Sequence, residues 1–89
     1  MFSIEYKNSF KKDIELARKR GKDLNKLKEV ICLLATGKEL EQKYKDHVLI
    51  GKYKGRRECH ISSDWLLVYK KENNIIVLER TGTHSDLFK

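Results

Sequence analysis

The chain opens with Phe2, Ile4 and Tyr6 alternating with Ser3, Glu5 and Lys7, the period of two that marks a strand with one buried face. The period then lengthens. Phe10, Ile14, Leu16 and Ala17 recur at helical spacing, which predicts a helix from Ser9 to Arg20, capped by the Ser9 hydroxyl and stopped at Gly21. Leu24, Leu27, Ile31 and Leu34 form a second stripe, widened by Val30, for a helix capped by Asp23 and stopped at Gly37. The link from Gly21 to Asp23 is so short that the two helices must form a hairpin.

Glu39 to Gly55 mixes charge with Leu40, Tyr44, Val48, Leu49 and Ile50 without a sustained period, and reads as loop with at most a helical turn or a short strand. Beyond it, Arg56 to Ile61, Trp65 to Lys71 and Ile75 to Arg80 are strand-like runs separated by Ser62-Ser63-Asp64 and Asn73-Asn74, the pattern of a β-meander. Leu66, Leu67, Val68 and Tyr69 are apolar on both faces, which places Trp65 to Lys71 in the interior of an antiparallel sheet. The two helices can cover one face of that sheet. The expected fold class is α+β, with an N-terminal strand, a two-helix hairpin and a C-terminal meander. With no proline, repeat or low-complexity run, residues 1–89 read as one domain whose short tail after Arg80 must dock to stay ordered.

Composition narrows the function. Hydrophobic residues make up 39% of the chain and charged residues 37%, enough for a core beneath a heavily ionic surface. A net charge of +7 favours polyanions, with nucleic acid the first suspicion. No run approaches the roughly 18 apolar residues of a membrane span, and Met1 to Phe10 has no signal-peptide core, so a cytoplasmic protein with no membrane partner is expected. Cys32 and Cys59 form no CxxC pair and are expected to be reduced, buried packing residues.

Three histidines, His47, His60 and His84, fall in or beside the second half, among Asp64, Arg56, Arg57 and Arg80. Taken singly, each has an ordinary surface reading, and Asp64 an ordinary turn reading. Together they form an acid–base set, because histidine both accepts and donates a proton near neutrality. RNA carries its own nucleophile in the 2′-hydroxyl, so its cleavage needs only a base, an acid and a cation for the phosphorane. The planar donor fork of Arg80 suits that last task. The histidine spacings match neither HExxH nor any other metal motif, so no metal and no cofactor are expected. Lys43, Lys45, Lys52, Lys54, Arg56 and Arg57, interleaved with Tyr44 and Tyr53, make a basic and aromatic strip suited to phosphates and base stacking.

The segments Lys45-Asp46-His47, Arg57-Glu58-Cys59-His60, Asp64-Trp65-Leu66-Leu67-Val68-Tyr69 and Arg80-Thr81-Gly82-Thr83-His84-Ser85-Asp86-Leu87-Phe88 resemble YafQ-type toxins of the RelE/ParE superfamily, along essentially the whole chain. The resemblance implies a single RelE-like toxin domain with a twisted antiparallel sheet. It also implies an mRNA interferase that cuts codons on the ribosome without metal and is held inactive by a cognate antitoxin whose acidic segment wraps it. Operator DNA is then reached only through the antitoxin complex. By the same resemblance His47, His60, Asp64, Arg80 and His84 take the catalytic positions, with His84 as acid, Asp64 or His60 as base, Arg80 as phosphate clamp and His47 as a second phosphate or proton-transfer group. Lys45, Lys52, Lys54, Arg56, Trp65 and Phe88 are the expected RNA-positioning residues. Val48 and Tyr53 stand where many relatives have proline and tryptophan. The rivals are a ParE-like toxin that blocks DNA gyrase by docking and a basic RNA-binding module without activity.

Overall fold

The computed structural model describes residues 1–88. Its strands are β1 (Ser3–Tyr6), β2 (His47–Val48), β3 (Arg57–Ser62), β4 (Trp65–Glu72) and β5 (Ile75–Gly82), and its helices α1 (Asn8–Lys19), α2 (Leu24–Ala35) and α3 (His84–Leu87). The five strands form one sheet in the order β1-β5-β4-β3-β2. The meander β3-β4-β5 is antiparallel as its turns require, but β1 pairs with β5 in parallel, so the sheet is mixed. The helical hairpin between β1 and the rest of the sheet carries the chain back across the face and permits that parallel return.

The central strand separates two apolar layers. Trp65, Leu67 and Tyr69 face the hairpin and pack with Phe10, Leu27, Val30, Ile76 and Leu78. Leu66 and Val68 point the other way and pack under Leu87 of α3, with Leu49 and Tyr53 beside it. Each such side chain, fully buried, contributes about 1.5–3 kcal/mol. The short tail is therefore docked, and its docking closes the second layer.

The helix ends depart in one place from the sequence expectation. Asp23 caps α2, its side chain accepting from the Asn25 N–H at 3.0 Å, and Gly21 and Gly37 stop the helices at φ +77° and +79°. Ser9 does not cap α1, which starts at Asn8 after an N-cap at Lys7 without a side-chain bond. Its hydroxyl instead donates to the Glu79 carbonyl at 2.7 Å, on the edge of β5. The segment 39–55 holds the expected irregular chain: 3-10 turns at Gln42–Tyr44 and Gly51–Tyr53 around the two-residue β2. Cys59 is buried, and burial pushes its thiol pKa up, which makes it a poor nucleophile. Cys32 corrects the sequence reading: it is exposed, because its position on α2 turns away from the stripe through Leu27 and Leu34.

Candidate active site

The sheet register builds the site. His47 is opposite Glu58, Glu58 opposite Val68, and Val68 opposite Arg80, so one row crosses β2, β3, β4 and β5 on the face away from the hairpin. The next row on that face runs from His60 through Leu66 to Gly82. Asp64, in the turn after β3, and His84, at the start of α3, stand at the end of this second row.

Two histidines share one carboxylate. Glu58 is only 4% exposed, and its Oε1 lies 3.2 Å from His47 Nε2 and 3.4 Å from His60 Nε2. His47 Nδ1 lies 3.0 Å from the Val48 carbonyl. Sequence reasoning passed over Glu58, although its place two residues before His60 on a strand puts both on one face.

The third histidine has its own carboxylate. Asp64 Oδ1 accepts from His84 Nδ1–H at 2.8 Å and from the His84 backbone N–H at 3.1 Å. The His84 side-chain bond, with the backbone bond, holds the Asp64 carboxyl below its usual range. Asp64 is thus an ionised acceptor that fixes the proton on Nδ1 and leaves Nε2 of His84 for chemistry. A carboxylate so stabilised is a weak base. The His60 and His84 rings are 5.9 Å apart, and Phe88 stands 6.1 Å beyond His84.

The arm that carries His84 is anchored at both ends. Thr83 and Asp86 form a capping box at the start of α3, and Arg20, just past the end of α1, binds Asp86 at 2.7 Å, which with the Thr83 bonds holds the Asp86 carboxyl far below its usual range. At the far end Phe88 meets the edge of the Tyr53 ring at 5.4 Å, and the Tyr53 hydroxyl donates to the Leu87 carbonyl at 3.3 Å. Tyrosine at this position therefore still supports the arm.

The cations divide into two kinds. Arg80 Nε and Nη2 donate to Asp13 at 2.7 and 3.2 Å, which raises the guanidinium pKa. Arg56 is held by buried Glu79 at 3.0 Å, and Arg57 by Asp46 at 3.1 Å. Arg56, expected among the RNA contacts, thus has an internal partner that no motif revealed. Lys45, Lys52 and Lys54 are exposed and have no carboxylate within reach among the described residues. Lys43 and Lys45 flank a groove of about 390 Å³ that opens beside His60.

Two further expectations separate here. Phe88 is 40% exposed beside His84, free to meet a base. Trp65 is 2% exposed and faces the hairpin, so it has no free ring face for RNA and serves as core; alternation along β4 sets its direction. His47, Glu58 and His60 also offer ligand atoms within 4.8 Å of one another, a set drawn from two strands that sequence spacing could not display. Two imidazoles and a carboxylate suit a borderline transition ion.

The family model for the bacterial toxin of type II toxin-antitoxin system, YafQ, matches residues 2–89. The chain is 48% identical over 86 residues to the mRNA interferase toxin YafQ of Escherichia coli K12, covering 96% of this chain and 94% of that protein. YafQ in the E. coli DinJ–YafQ complex is 46% identical and superposes with a TM-score of 0.93 over 100% of both chains. A metal-bound toxin from Helicobacter pylori is also 46% identical, with a TM-score of 0.91 over 99% of this chain and 100% of that one. The chain accordingly belongs to the YafQ family of bacterial type II toxin–antitoxin toxins.

Proposed function

We propose that the chain is an endoribonuclease that cleaves mRNA on the ribosome without metal, and that a cognate antitoxin holds it inactive. The observation that carries this reading is the Asp64–His84 pair set beside the Glu58-bound His60 on an open sheet face. In this scheme His60, oriented by Glu58, takes the 2′-hydroxyl proton as the oxygen attacks the adjacent phosphorus. His84, held by Asp64, gives a proton from Nε2 to the departing 5′ oxygen. Arg80 offers its guanidinium to the phosphorane oxygens, and His47 is a second phosphate or proton-transfer group. Between the two candidate bases, the depressed Asp64 favours His60. The name of the K12 relative and the DinJ complex of its E. coli homologue support the interferase and antitoxin parts of the reading. Operator DNA is reached through the antitoxin.

The test is His84→Ala against wild type, scored for growth arrest and for product ends. Wild type should leave a 2′,3′-cyclic or 3′-phosphate and a 5′-hydroxyl, and the variant should lose about 100- to 10,000-fold in rate while still binding ribosomes. Full toxicity in a folded variant would remove His84 from the chemistry. Broken DNA with intact transcripts would favour a gyrase-directed toxin, and bound but uncut RNA a binding module.

A second reading is favoured by the His47–Glu58–His60 proximity and by the metal-bound toxin from H. pylori. An ion held by these three residues would supply a Lewis acid. Cleavage of free RNA at high enzyme concentration separates the readings: activity that survives EDTA supports the metal-free scheme, and activity lost to EDTA and restored by a metal supports the other.

A further inference from the structure

β1 stops pairing with β5 at Tyr6 and Leu78, so the outer edge of β5 from Glu79 onward has no strand neighbour. Side chains of α1 close that edge in its place. Ser9 donates to the Glu79 carbonyl at 2.7 Å, and one helical turn later Asp13 Oδ2 accepts the Thr81 N–H at 3.0 Å. The same carboxylate takes Arg80 through Nε at 2.7 Å and Nη2 at 3.2 Å. Asp13 thus grips the backbone next to Arg80 and, through Nε and Nη2, the guanidinium itself. Its side chain is 13% exposed.

A carboxylate on a phosphate-binding arginine opposes RNA binding, because it cancels charge where an anion must sit. What it supplies is position. Arginine has a long stem with many rotamers to be fixed, and a reacting group misplaced by about 1 Å can cost about 100-fold in rate. We propose that Asp13 is a positioning residue that fixes Arg80 for the scissile phosphate, gaining rate at the expense of affinity. This rests on the reading of Arg80 as the phosphate ligand.

The test uses ribosomes programmed with a short mRNA for single-turnover cleavage, and with the 2′-O-methyl form of that mRNA for binding. Asp13→Asn keeps an acceptor for the Thr81 N–H while removing the charge on Arg80. It should lower the bound-complex rate about 10-fold or more, with binding unchanged or tighter. In an Arg80→Ala background the same substitution should change the rate less than about 2-fold. A loss of folded protein could not produce tighter binding. Wild-type or faster cleavage in Asp13→Asn would overturn the proposal, as would an equal loss in both backgrounds. Wild-type cleavage by Arg80→Ala would instead overturn the role of Arg80, and that of Asp13 with it.

Discussion

Salt dependence of RNA binding gives a numerical test of how the cations are used. The strip from Lys43 to Arg57 holds six cations, and if all met phosphates the single-strand slope of about −0.7 per contact would give a log–log dependence near −4. Arg56 and Arg57 are already neutralised by Glu79 and Asp46, so they release few counterions. Four lysines remain, for a slope of about −2.8. Replacing Lys52 and Lys54 with alanine should flatten it to about −1.4, with little change in single-turnover rate once RNA is saturating. The assay is the affinity for a labelled single-stranded RNA, made uncleavable by 2′-O-methylation, across a tenfold range of salt. A wild-type slope near −4 would mean that the arginines leave their carboxylates to bind phosphate. An unchanged slope in the double variant would remove Lys52 and Lys54 from the interface.

Trp65→Ala should destabilise the fold by about 3–5 kcal/mol in urea unfolding while Trp65→Phe retains most stability and RNA affinity, since the ring is core; lost binding in a stable Trp65→Phe protein would refute this. Because the Asp64 carboxyl is held low, its contribution to stability is present above its unfolded value of about 3.9 and disappears as pH falls through the lower folded value, leaving neutral pH unaffected. Asp64→Asn should therefore act on catalysis, lowering the single-turnover rate about 10-fold or more by loosening the His84 ring that Asp64 holds; a wild-type rate in the folded variant would refute the pairing.

The layering of the fold was legible because it is written in local periods: the double-faced run at Leu66 to Tyr69 can only be an interior strand, and Gly21 and Gly37 mark helix ends by their backbone freedom. The direction of β1 was not legible, since alternation identifies a strand without naming its partner. The histidines and Asp64 could be proposed as a set from their chemistry. The residues that hold the site were hidden for a different reason. Arg80–Asp13 and Arg20–Asp86 join positions 67 and 66 residues apart, and neither is recorded by a spacing rule. Trp65 reads as an RNA contact because it follows Asp64 of the acid–base set, but the pleat turns its ring to the opposite side, into the core.

The charge pattern suggests why these supports exist. All five arginines are ion-paired: Arg18 with Glu15, Arg20 with Asp86, Arg56 with Glu79, Arg57 with Asp46 and Arg80 with Asp13. Among the described lysines only Lys7 and Lys70 have such partners. A guanidinium is fixed well by a carboxylate because its planar fork matches two oxygens, whereas an ammonium is a hydrated point charge on a flexible stem. The arginines therefore hold geometry, and the lysines supply most of the +7 field that draws in RNA. The division has a kinetic consequence. Added salt screens the free lysines over a Debye length of about 8–10 Å and should slow association steeply. Paired groups at the site are screened less, so the rate of the bound complex should change little over the same range. A toxin built this way should gain or lose surface lysines with modest effect on its chemistry, while the loss of the Asp13 carboxylate should act directly on the placement of Arg80.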